Sequence, residues 1–131
     1  MPNPGLTRRT PAQNAVLETL RHHQPMSAQS LYSAMRSHHG IGLATVYRSL
    51  NTLQKLGFIQ HRVTLEGVTL YSLIDRDRHY LTCLHCGQSF AVDDCPMAQF
   101  QAELQQNRSF KIYYHTLEFF GLCEPCALQD E

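Results

Sequence analysis

The chain has 131 residues, 43% of them hydrophobic, with eleven Lys/Arg balanced by eleven Asp/Glu, enough for one ordinary domain or two small ones. No long apolar run implies a membrane span, and the polar first ten residues (MPNPGLTRRT) lack the apolar core of a secretion signal, so the cytoplasm is the expected compartment. The zero net charge hides a division: residues 1–62 hold seven Lys/Arg against Glu18 alone, while residues 63–131 hold four against ten acids, a pattern in which one half can meet phosphates and the other serves a different purpose.

Thr10-Pro11 opens a first helix, because Thr caps and Pro fits the first helical position. Val16, Leu17 and Leu20 keep its helical spacing until Gln24-Pro25. A second helix starts after Ser27, uses Leu31, Tyr32 and Met35 as its apolar face, and stops at His38-His39-Gly40. A third covers about 42–55, with Gly57 as its stop. On it Val46, Leu50 and Leu53 share one face, Thr45, Arg48, Asn51, Thr52 and Lys55 the opposite one, and Tyr47 the flank. That polar face carries no acid. It suits a DNA major groove, where Arg reads guanine and Thr or Tyr meets thymine methyls and phosphates, whereas an ordinary solvated face mixes both signs. Two strand-like runs, 58–65 and 68–73, joined at Glu66-Gly67, predict a hairpin. Three helices followed by a hairpin make a winged helix-turn-helix, whose last helix enters the groove.

The charged, aperiodic run Asp75-Arg76-Asp77-Arg78-His79 predicts a hinge. Beyond it come short strands at 80–82 and 89–92 and a helix from Pro96 to about 106 with Met97, Phe100 and Leu104 as its apolar stripe. A long strand over 110–120 follows, and the fold class is α+β.

All five cysteines lie after residue 82, four of them as Cys83-x2-Cys86 and Cys123-x2-Cys126, 36 residues apart. In a reducing compartment such pairs read as metal ligands rather than disulfides. Four thiolates complete a closed tetrahedral shell with Zn–S near ~2.3 Å, a structural zinc with no open position for hydrolysis. The competing chemistry is a thiol oxidoreductase, which expects a βαβ context and a single motif. With no nucleophile–base pair elsewhere, neither an enzyme nor a small-molecule substrate is expected. Cys95 stands at a predicted helix start, where the dipole favours a thiolate. Alone it would be a small buried hydrophobe, and His115 alone a satisfied core histidine. Asp77 and His79, two apart, project to one side of an extended segment. Asp77, His79, Cys95 and His115 together form a mixed S/N/O tetrad suited to zinc.

Gly42-Leu-Ala-Thr-Val-Tyr-Arg-Ser-Leu50, Leu81-Thr-Cys-Leu-His-Cys-Gly87 and His115-Thr-Leu-Glu-Phe-Phe-Gly-Leu-Cys123 resemble the ferric-uptake-regulator family, in the same order and over nearly the whole chain. The Asp-Cys-Pro segment and the wording of 115–123 are most similar to its zinc-uptake branch. The resemblance implies a homodimeric metalloregulator that binds palindromic operators in double-stranded DNA when charged with metal. Its domains would be a winged helix over 1–74, a hinge over 75–79 and a dimerisation and metal-binding domain over 80–131. It implies Thr45, Tyr47 and Arg48 as recognition-helix contacts, and Arg8 as a contact to DNA backbone or minor groove. Cys83, Cys86, Cys123 and Cys126 fall on its structural zinc site, and His79 and His115 on ligand positions of a second site, so two Zn2+ per protomer are expected. The departures are specific. Pro25, Ser72 and Tyr80 replace the ligands of the family's interdomain site, Ala91 stands where iron sensors often have Glu, and Asp77 where many relatives have His. Ala98 replaces a common Glu ligand, for which Cys95 is the available substitute. The expected output is repression of zinc-uptake genes with activation of storage genes as a further option; the alternative within the family is an iron or peroxide sensor.

Overall fold

The computed structural model describes residues 8–74, 78–93 and 95–129, with the side chains of all but His38, His39 and Arg78. It divides into two compact units, 1–74 and 75–131, each taken by itself below. Among the described residues no helix is long and apolar enough to cross a membrane.

The first unit holds helices α1 (Pro11–His23), α2 (Ala28–His39) and α3 (Leu43–Lys55) and strands β1 (Ile59–Val63) and β2 (Thr69–Leu73). Local chemistry sets its boundaries. Thr10 Oγ1 accepts from the Gln13 N–H while Gln13 Oε1 accepts from the Thr10 N–H, both at 3.1 Å, a reciprocal cap that satisfies two otherwise orphaned donors. Ser27 Oγ accepts from the Ser30 N–H at 3.1 Å, and Gly40 closes α2 in the left-handed conformation at φ 62°. The apolar positions at helical spacing (Val16 and Leu20, Leu31 and Met35, Val46, Leu50 and Leu53) meet in one core with Ile59 and Tyr71. β1 and β2 pair antiparallel, Ile59 opposite Leu73 and His61 opposite Tyr71. Met26 adds a bridge to Tyr71, and Gln24 Oε1 accepts from the Leu73 N–H at 2.8 Å, so the turn between α1 and α2 is fastened to the hairpin. This is a winged helix.

The second unit holds strands β3 (Arg78–Cys83), β4 (Ser89–Ala91) and β5 (Thr116–Gly121) and helices α4 (Ala98–Arg108) and α5 (Glu124–Gln129). The sheet order is β4-β3-β5, with β3 antiparallel to β4 and parallel to β5. Two expectations are corrected and a third is qualified. Arg78 and His79 belong to strand β3 rather than to a hinge, because both pair with β5. The run 110–120 is not one strand: only its last part pairs, and the first is taken up in contacts to α4. Met97, Phe100 and Leu104 do line one apolar cleft against Ile112 and Leu117, but Phe100 stays 56% exposed, and the half-covered residues of α4 are Gln101, Leu104 and Gln105, one turn apart. Helix α5, carrying Cys126, was not anticipated from the sequence.

Candidate metal centres

Cys83 ends β3, Cys86 lies in the turn that follows, Cys123 lies just after β5, and Cys126 is on α5. Parallel pairing sets Cys83 opposite Gly121, which brings the two CxxC turns to one end of the sheet. Their four sulfurs lie within 4.8 Å of one another, with Cys86 Sγ and Cys123 Sγ 3.9 Å apart. A tetrahedron with bonds of ~2.3 Å has edges of about 3.8 Å, so the donor set fits a zinc ion. The electrostatics fit as well. The N–H of Cys86, then those of Cys123 and His85, point at Cys83 and pull its thiol down to about 5. The neighbouring Cys123 thiol and burial push Cys126 up to about 12. Without a counter-cation, charge on one sulfur opposes charge on the next, and a divalent ion is the group that lets all four ionise.

A second cluster lies at the other end of β3. His79, Cys95 and His115 offer ligand atoms within 4.8 Å of one another. His79 is buried, 4% exposed, and its ring stacks on that of His115 at 5.1 Å between centroids. The two Nε2 atoms are 2.9 Å apart, and Cys95 Sγ is 3.4 Å from His115 Nε2. Two bare lone pairs cannot face each other at that distance, so a proton or a cation must lie between them. The donors suit a borderline ion such as zinc. Cys95 does not lie in the first turn of α4: Met97 is the N-cap, so its place is explained by His115 rather than by the helix dipole. Asp77, the fourth expected ligand, lies outside the described residues. Sequence reasoning missed Gln101, whose Oε1 bonds His115 Nδ1. The helix that carries it, AQFQAELQQNR, holds other glutamines as well, and nothing in the sequence singles out this one.

On α3 the structure exposes Tyr47, Arg48, Asn51, Thr52 and Lys55 while burying Val46, Ser49, Leu50 and Leu53. Thr45 is partly covered, and its Oγ1 accepts from Arg48 Nη2 at 3.0 Å, which holds the guanidinium along the exposed face. Arg8 is exposed ahead of α1. Next to it Arg9 is tied back, 5.0 Å over the Phe58 ring and bonded to Asn14.

Residues 5–120 match the profile of the Ferric uptake regulator family. The chain is 34% identical over 122 residues to the zinc uptake regulation protein of Mycobacterium tuberculosis, covering 92% of each. It is 31% identical over 113 residues to the ferric uptake regulation protein of Legionella pneumophila, covering 85% of this chain and 82% of that one. Among solved structures it is similar to the ferric uptake regulator of Vibrio cholerae, with a TM-score of 0.57 and 30% identity over 88% of this chain and 92% of that one.

Proposed function

Since the chain belongs to the ferric uptake regulator family, a family of metal-responsive transcription regulators, we propose that it is a zinc sensor that binds palindromic operator DNA as a zinc-loaded homodimer. Its output would be repression of zinc-uptake genes, with activation of storage genes as a second outcome. The observation that carries the zinc reading is the gathering of Cys95 with His79 and His115. Iron and manganese regulators more often use nitrogen and oxygen donors, and a thiolate shifts preference toward zinc. Identity alone does not separate the two, since relatives named for iron and for zinc lie at 31% and 34%.

Two sites per protomer are proposed. When bound, zinc would supply a cross-link, structural at Cys83, Cys86, Cys123 and Cys126 and sensory at Asp77, His79, Cys95 and His115. His79 is already held in β3 by its pairing with β5, so the coupling of zinc to the winged helix is assigned to Asp77, three residues past the end of the first unit in sequence. Ordering of this kind needs only ~1–3 kcal/mol of coupling to switch occupancy.

The second copy has a surface to meet. Phe90, Leu81 and Phe119 are cross-strand partners on β4, β3 and β5 and therefore share one sheet face. They are 41%, 48% and 58% exposed. An apolar row of this kind on a small sheet is what a self-complementary interface covers. The exposed face of α3, with Arg8, Thr45, Tyr47 and Arg48, is assigned to DNA, and the basic first half predicts steep salt dependence.

The deciding experiment is zinc titration of the full chain with an operator-length duplex, read by fluorescence anisotropy and by metal content. Binding should require the second zinc equivalent and should be restored by zinc at far lower free concentration than by iron(II) or manganese(II). A protein stripped of the sensory metal that holds the duplex as tightly as the loaded form sinks the proposal. Restoration by iron at lower concentration favours the iron-sensing reading instead.

A further inference from the structure

Helix α4 packs unlike the helices of the first unit. None of its residues is buried, and Phe100 on its apolar side stays exposed. What it turns inward is Gln101, Leu104 and Gln105, and both glutamines act on the same short segment. Gln105 Oε1 accepts from the backbone N–H of Ile112 at 2.8 Å. Gln101 Oε1 bonds Nδ1 of His115. The segment 112–115 is therefore fastened from one helix face at its two ends, and it delivers His115 to the first residue of β5.

The bond from Gln101 has a chemical consequence that packing alone lacks. A carbonyl oxygen only accepts, so His115 Nδ1 must carry the ring proton. A neutral imidazole has one N–H, so Nε2 is left as a lone pair. That same Nε2 faces His79 Nε2 at 2.9 Å and Cys95 Sγ at 3.4 Å. The tautomer that Gln101 selects is thus the one in which His115 offers its lone pair to the other two donors. Were Gln101 absent, the proton could move to Nε2 and point into the cluster, where it would compete with a cation. Leu104, Ile112 and Leu117 line the cleft beside His115 and Gln101, an apolar surround in which a hydrogen bond is stronger and less exchangeable with water.

We propose that Gln101 is the positioning residue of the sensory site: by accepting from Nδ1 it sets the His115 tautomer and ring orientation, and so sets the affinity of that site for zinc. The proposal rests on the sensory-site reading above. Outer-shell partners of ligating histidines typically change metal affinity by ~10–100-fold, and that range is expected here.

The test uses the full chain carrying its structural zinc. In the protein with one zinc per protomer, long-range 1H–15N correlation spectra of the histidine rings should show His115 as the Nδ1–H tautomer. Gln101→Leu should lose that signature and weaken the second zinc equivalent 10–100-fold in competition with a chromophoric chelator, leaving the first equivalent unchanged. Gln101→Glu keeps an acceptor and should keep both the tautomer and at least the parental affinity. His115→Ala separates the two claims. If it still binds two zinc ions per protomer, the sensory-site reading fails and this inference with it. If it binds one while Gln101→Leu binds two with parental affinity, Gln101 alone is dismissed. An Nε2–H tautomer in the parent chain overturns the inference without any variant, as does a Gln101→Glu chain as weak as Gln101→Leu.

Discussion

The two units are built on opposite principles. In the first, Val16, Leu20, Leu31, Met35, Val46, Leu50, Leu53 and Ile59 are almost wholly shielded from solvent and touch one another across three helices and a hairpin. In the second, the only buried hydrophobic residues among those described are Cys83 and Cys126, two of the proposed zinc ligands, while Leu81, Phe90, Phe119 and Phe120 remain exposed. A winged helix of this size closes a core of its own. The smaller unit does not, and small domains that cannot do so are completed by metals or by a second copy. The proposed sensing fits the second arrangement, because a unit with little core of its own can be ordered further by an ion at His79, Cys95 and His115.

Four experiments test this contrast. The largest effect is expected from Cys126→Ser, or from a strong chelator. Loss of a structural zinc removes a contribution on the order of 10 kcal/mol, so amide exchange should accelerate throughout residues 78–129 while protection in α1–α3 is retained. Equal loss in both units would show that the first also depends on the metal. Next comes Leu50→Ala, which should destabilise the winged helix by about 2–5 kcal/mol in denaturant unfolding and leave zinc content unaltered. Leu81→Arg introduces charge into the exposed apolar row and should weaken self-association by ~2 kcal/mol or more, about 30-fold, in sedimentation velocity, with both zinc ions retained. A dimer of unchanged strength would move the interface elsewhere. The smallest effect is that of Thr10→Ala, which removes a helix cap and should lower the stability of the first unit by about 1 kcal/mol without touching the second.

The same contrast explains what was legible in the sequence. The three helices of the first unit were readable because each has apolar residues at helical spacing between a capping residue and a stop, and burial there follows periodicity. The cysteine pairs were readable because ligand spacing is local chemistry. Helix α4 was legible only in part: Met97, Phe100 and Leu104 share a cleft as their spacing suggested, but Phe100 stays largely exposed, and in a unit without a core of its own the helix is held by hydrogen bonds to 112–115, which no periodicity encodes. For the same reason 110–115 looked like strand from its aromatic and β-branched content. Yet strand β5 begins only at Thr116, where pairing with β3 starts, while the preceding residues are held by Gln101 and Gln105. His79 and His115 came together as the sequence suggested. Gln101 did not stand out, because a glutamine on a helix surface has no signature until its partner is known.

One feature of strand β3 constrains how the chain can change. His79, Leu81 and Cys83 alternate onto one face, so a ligand of each cluster and the centre of the apolar row sit on consecutive steps of a single ribbon. Inserting or deleting one residue between 79 and 83 would turn part of that ribbon over, because a slip of one exchanges the two faces of a strand. Such an indel would separate the two proposed ion sites from each other's register and take the apolar row with it. A substitution here strikes one of the three features at a time, whereas a change of length strikes all of them.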